Sequence, residues 1–141
     1  MKIEEIYNFL VEEQALKLEA IHPQSDLNTD LGVEGDDFSE LIESFAEKYE
    51  VDMASYRWYF HHCEEGWNLG ALIFKPPYMQ VQRISVTPDI LLQAAKSRVW
   101  PIQYPTHQLS EGRPDIFINK VILIGAAALA ALMWFSRTSG A

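Results

Sequence analysis

Fifteen consecutive residues, Val121 to Phe135, carry neither a charge nor a strongly polar side chain. As a helix rising ~1.5 Å per residue they cover roughly 22 Å, short of the ~30 Å hydrocarbon core of a bilayer. Extending the segment back to Ile116 supplies the missing length at the cost of including Asn119 and Lys120. A lysine near a helix end can snorkel to the headgroups. Trp134 stands where an interfacial aromatic belongs, and Arg137 closes the far end. The segment is apolar all round rather than striped, which separates it from a surface helix of a soluble domain. The expectation is a transmembrane helix over 116–136, a tail anchor, followed by a polar tail over 137–141. Arg113 and Lys120 before it, against Arg137 after it, favour a cytoplasmic domain. Ala126 and Ala130, four apart, offer a small-residue stripe for self-association, whereas Gly125 is matched by Leu129.

The remainder of the chain has a different character. The formal charge is −9, and it is unevenly distributed: through Glu65 there are 17 acids and 4 bases, from Gly66 onward 3 and 7. An acidic half argues against nucleic acid, whose phosphates need clustered Lys and Arg. It suits docking on a basic protein surface, where opposed fields raise the encounter rate. Cys63 is the only cysteine, so neither an intrachain disulfide nor a thiolate zinc cage can form. The acidic, amphipathic start lacks the apolar stretch of a secretory signal.

Apolar residues at helical spacing predict a first helix from Ile3 to about Leu18, with Ile3, Ile6, Tyr7 and Leu10 inward, ending before His22-Pro23. A polar loop leads to a second helix from about Asp36 to Tyr49. Its stripe is Phe38, Leu41, Ile42, Phe45 and Tyr49. Tyr56, Trp58, Tyr59 and Phe60 suggest a short helix closing the core. Residues 67–83 contain Pro76-Pro77 and are expected to be irregular, with room for a small β-hairpin. Thr87-Pro88-Asp89 is a helix start: an N-cap threonine, a proline at the first helical position and an acid beside the positive end of the dipole. The layout is a helical domain over 1–100, a linker over 101–115, the membrane helix and the tail.

Two polar clusters deserve weighing as metal sites. Asp26-x-Asn28-x-Asp30 opens like a calcium loop, yet Leu31 stands where the sharp turn wants glycine and Asp37 where a bidentate Glu belongs. Within His61-His62-Cys63-Glu64-Glu65, only His61 and Glu65 are spaced to share one helix face. The simpler reading is a helix end with Cys63 turned inward, so no metal is expected. His22 and His107 read as surface residues. No nucleophile elbow, phosphate loop or catalytic triad is legible, and no enzyme activity is expected.

The run Asp30-Leu31-Gly32-Val33-Glu34-Gly35-Asp36-Asp37-Phe38-Ser39-Glu40-Leu41-Ile42-Glu43 resembles the helix II region of acyl carrier proteins. The likeness continues through Phe45-Ala46-Glu47-Lys48-Tyr49-Glu50-Val51. Within that superfamily the closer resemblance is to a bacterial group, the DUF1493 proteins. It is carried by Gly35-Asp36-Asp37, Tyr59-Phe60 before Glu65-Gly66, and Ser85-Val86-Thr87-Pro88 leading to Ala94-Ala95-Lys96 and Arg98-Val99-Trp100. It covers about Lys2 to Trp100. The resemblance implies a small, mainly α, acyl-carrier-like bundle that docks through an acidic second helix. It also exposes a departure. Carriers hold phosphopantetheine on a serine at the start of helix II, and here that position is Gly35. Ser39 lies one turn further on, outside the context that the modifying enzyme reads. No phosphopantetheine is therefore expected.

The leading expectation is a membrane-tethered, non-enzymatic interaction module. Asp36, Asp37, Glu40, Glu43 and Glu47 would contact Arg or Lys of a basic protein through charge-assisted hydrogen bonds. The alternatives are a true carrier modified at a non-standard serine in a membrane-bound acyl-transfer system, and a small membrane subunit whose helix is the functional part.

Overall fold

The computed structural model describes residues 1–139; the end of the polar tail lies outside the described residues. The protein is mainly helical. Its α-helices are α1 (Ile3–Gln14), α2 (Gly35–Tyr49), α3 (Pro88–Ser97) and α4 (Pro114–Ser139). Short 3₁₀ turns lie at Leu18–Ala20, Trp58–Phe60, Leu69–Leu72 and Pro77–Met79. No strand occurs among the described residues. The hairpin considered for 67–83 is replaced by the last two of these turns, and the pairing is limited to a parallel bridge between Asp52 and Val99.

Contacts divide the chain into two compact units, Met1–Glu65 with Val81–His107, and Gly66–Gln80 with Gln108–Ala141. In the first unit, α1 stops earlier than its apolar spacing suggests. Ala15 adopts the left-handed conformation (φ 49°) and ends the helix, and Leu18 falls in the following 3₁₀ turn. Ile6 and Leu10 are buried as expected together with Phe9, while Ile3 and Tyr7 are only partly covered. On α2 the stripe Phe38, Leu41, Ile42 and Phe45 is buried, with Tyr49 packed at its edge. Phe9 meets Phe45 edge-on at 5.9 Å between ring centres, a favoured geometry for aromatic rings. Thr87 Oγ1 accepts from the Ile90 N–H and caps α3, which adds Leu91, Leu92, Ala94 and Ala95 to the core.

The ends of α2 and α3 are joined. Glu50 and Arg98 both take left-handed C-cap conformations, and their side chains form an ion pair. The Asp52 N–H donates to the Arg98 carbonyl at 2.9 Å, and the Trp100 N–H to the Asp52 carbonyl at 3.0 Å. Residues 101–107, read from the sequence as the start of a linker, contribute Ile102 and Tyr104 to the packing of the first unit.

In the second unit, α4 has 26 residues and extends beyond the expected 116–136 at both ends. It is long and apolar enough to cross a membrane, with a mean hydropathy of 2.2 in its most apolar window and none of that window buried. Lys120, Ala126, Ala130, Trp134 and Arg137 are all exposed along it.

Candidate functional site

The acidic residues singled out on α2 line up in space. At ~100° per residue, Asp36, Glu40, Glu43 and Glu47 fall within an arc of about 60°, with Asp37 to one side. All five are exposed, opposite the stripe that builds the core. Among the described residues none of them is ion-paired with a base, whereas Glu12 is paired with Lys48 and Glu50 with Arg98. The arrangement leaves one continuous line of negative charge.

Gly35 opens this helix and is buried. Its φ of +50° is a conformation that side chains rarely adopt, and a Cβ there would lie 1.9 Å from Glu65 Cγ. The position that the carrier resemblance gives to a prosthetic-group serine thus has no hydroxyl, and its positive φ disfavours any side chain. Gly35 offers phosphopantetheine no atom for attachment.

Beside the acidic line the structure places residues that sequence spacing does not connect. His62 is buried, stacked on Phe38 with ring centres 4.9 Å apart. Its Nδ1 lies 3.0 Å from the Cys63 carbonyl, which can only accept, so Nδ1 carries the proton. Nε2 is left to accept from Ser39 Oγ at 3.3 Å. Burial lowers the His62 pKa, against the Cys63 carbonyl and the charges of Glu64 and Asp36. A cavity of about 300 Å³ opens here, lined by Ser39, Ile42, Glu43, Ala46, Met53, Tyr56, Trp58 and His62. The Tyr56 hydroxyl is buried and has no hydrogen-bond partner among the described residues. A shallower recess alongside adds Asp36 and Glu64.

Ser39 and His62 are placed as a nucleophile and a base would be. Stabilising a developing oxyanion, however, needs preorganised donors, and the charged groups lining the two recesses are the carboxylates Glu43, Asp36 and Glu64. The chemistry of the lining suits a cation with an apolar stem.

The metal candidates have other occupations. Both nitrogens of His61 are used. Nδ1 donates to the Ile84 carbonyl at 2.8 Å, and Nε2 accepts from the Tyr104 hydroxyl at 2.7 Å. The Tyr104 oxygen in turn accepts from Trp100 Nε1 at 2.8 Å and from the Arg57 N–H at 3.2 Å. Burial lowers the His61 pKa to about 4, so the ring is neutral at pH 7. It is His61 and His62 that turn inward while Cys63 is exposed, the reverse of the sequence expectation. In the loop before α2, Arg83 forms a two-point pair with the Asp26 carboxylate. Asp26 also accepts from the Asn28 N–H at 2.9 Å, and Asp30 accepts from the Asp26 N–H at 2.8 Å. This loop is closed by its own hydrogen bonds. His107, expected on the surface, bonds Tyr59 at 2.8 Å and packs edge-on against Phe60. No group of three or more His, Cys, Asp or Glu positioned to hold a metal ion occurs among the described residues.

The protein class that these observations define is a small helical domain followed by one helix fit to span a membrane. The chain belongs to the DUF1493 family, described as proteins of unknown function, which matches residues 2–101. The match ends at Pro101, ahead of α4. No curated protein and no solved structure matches the chain.

Proposed function

We propose that the protein is a membrane-tethered, non-enzymatic docking module of acyl-carrier-like build, with its domain on the cytoplasmic side. It carries no prosthetic group and engages a basic protein through Asp36, Asp37, Glu40, Glu43 and Glu47. The observation that supports this reading is the continuous line of exposed α2 carboxylates, without an ion pair among the described residues, where Glu12 and Glu50 nearby have one.

Magnitudes indicate how such a surface works. Exposed ion pairs contribute about 0–1 kcal/mol each, and salt weakens them further. Charge therefore mainly accelerates and orients the encounter, and holding the partner requires a desolvated anchor. The cavity next to Glu43 suits an Arg of the partner: its stem against Met53, its guanidinium on Trp58 and its N–H groups toward Glu43 and the Tyr56 hydroxyl. The membrane helix confines the module to two dimensions and raises its local concentration around membrane-bound partners.

Replacing Glu40→Lys and Glu43→Lys together is expected to weaken partner capture strongly, and raised salt to slow association in the unmodified chain. Capture insensitive to both would refute the reading. The intact mass of protein purified from its native host should equal that of the unmodified chain. An increment matching phosphopantetheine would instead favour a carrier modified away from Gly35.

A further inference from the structure

The unit containing α4 also contains residues 66–80, and its apolar side chains point outward. Trp67 is 92% exposed, Leu72 85% and Ile73 67%, with Leu69, Phe74 and Met79 exposed beside them. Covering a Leu, Ile or Phe side chain releases about 1.5–3 kcal/mol, so a contiguous set left in water forgoes a large stabilisation. Such patches mark interaction sites.

This segment is fixed to the base of α4. Asn68 Nδ2 donates to Asp115 Oδ2 at 2.9 Å, Asn119 Nδ2 donates to Asn68 Oδ1 at 2.9 Å, and the Gly70 N–H donates to Asn119 Oδ1 at 2.8 Å. Gly70 approaches so closely that a Cβ would lie 2.0 Å from the Asp115 carbonyl oxygen. At the other end of the segment, Gln80 donates to the Lys75 carbonyl at 2.6 Å and accepts from the Ser110 N–H at 2.9 Å.

The depth of this attachment follows from length. A helix of 26 residues extends about 39 Å, some 9 Å more than the ~30 Å hydrocarbon core. The uncharged run Val121–Phe135 covers about 22 Å of the helix, so Asp115 and Asn119, which hold the segment, fall at the edge of that core. Charge agrees with a lipid setting: the unit has 4 bases and 2 acids, the rest of the chain 7 bases and 18 acids. Arg113 is paired with Asp115, while Lys75 and Lys120, both exposed, suit anionic lipids.

We propose that residues 67–79 form a second membrane element, an apolar wedge lying in the boundary between headgroups and acyl chains beside the base of α4. The wedge rests on the reading of α4 as a span. In a Cys63→Ser background, the full chain is labelled with an environment-sensitive fluorophore at Leu72→Cys, Leu129→Cys or Glu13→Cys and reconstituted in vesicles of mixed zwitterionic and anionic phosphatidyl lipids. The Leu72 label should shift to the blue, lose most of its intensity to lipids spin-labelled near the headgroup, and resist aqueous iodide. The Leu129 label should respond to lipids spin-labelled near the chain end, and the Glu13 label to iodide alone. A Leu72 label as open to iodide as Glu13 would overturn the wedge, and so would one shielded from both iodide and lipid, which would mean a protein cover. If Leu129 meets lipid and Leu72 does not, the wedge alone fails. If Leu129 escapes lipid too, the anchor fails and takes the wedge with it.

Discussion

In the first unit, α1, α2 and α3 turn Phe9, Phe38, Phe45 and Leu91 fully inward and leave a surface dominated by carboxylates. In the second unit, the large apolar residues of α4 and of residues 66–80 face outward, and the few polar groups that turn inward, Asn68, Asp115 and Asn119, bond one another. The same chain thus places its apolar surface inside one unit and outside the other. A water-soluble unit is stabilised by removing apolar area from solvent. A unit whose solvent is lipid gains nothing that way and is held by polar contacts and close packing. On the proposed membrane reading, the units differ because their solvents differ.

That contrast predicts opposite responses to the same kind of substitution. Phe45→Ala should cost the first unit about 3–5 kcal/mol, a large share of a typical domain stability of about 5–15 kcal/mol. Leu129→Ala on exposed α4 should leave the same unfolding transition unmoved. Chemical denaturation of the full chain in detergent, followed by tryptophan fluorescence, measures both. Equal effects would erase the distinction.

Acid should then unfold the first unit in two stages. His61 has its pKa depressed from about 6.5 to about 4 by burial, so the unfolded state takes up its proton first. Stability present above pH 6.5 is lost as pH falls toward 4, on the order of 3 kcal/mol. His61→Gln, which retains one donor and one acceptor, should flatten that stage. Asp26 is held lower: burial opposes its charge, but the hydrogen bonds from Arg83, Ser85 and Asn28 prevail and bring its pKa to about 2. Its contribution, on the order of 2 kcal/mol, is present above pH 4 and lost between about 4 and 2. Asp26→Asn should remove the second stage and spare the first. Thermal melts from pH 7 to 2 distinguish the two, and a single transition unaffected by either variant would contradict the assignments.

Legibility in the sequence followed the range of the contacts. Helices α2 and α3 were readable because their determinants are local: the stripe from Phe38 to Tyr49, and the cap at Thr87-Pro88. The early end of α1 was not, since Ala15 is an ordinary helix former and no Gly or Pro marks the stop. The line of acids on α2 followed from helical spacing. Ser39 and His62, 23 residues apart, share no local pattern, and the inward turn of His61 depends on Ile84 and Tyr104. Likewise, nothing near Asn68 announces that its partners are Asp115 and Asn119. The exposed side chains of residues 66–80 were visible as residue types, but their outward direction depends on that distant attachment.

On the proposed function the α2 acids dock a basic partner at the membrane. A photoreactive side chain introduced at Ser44, on the partly exposed flank of α2, and illuminated in native membranes would capture that partner. One dominant protein adduct is expected, its yield falling with added salt and collapsing when Glu40→Lys and Glu43→Lys are introduced. An adduct of unchanged yield under both conditions, or labelling confined to lipid, would contradict it.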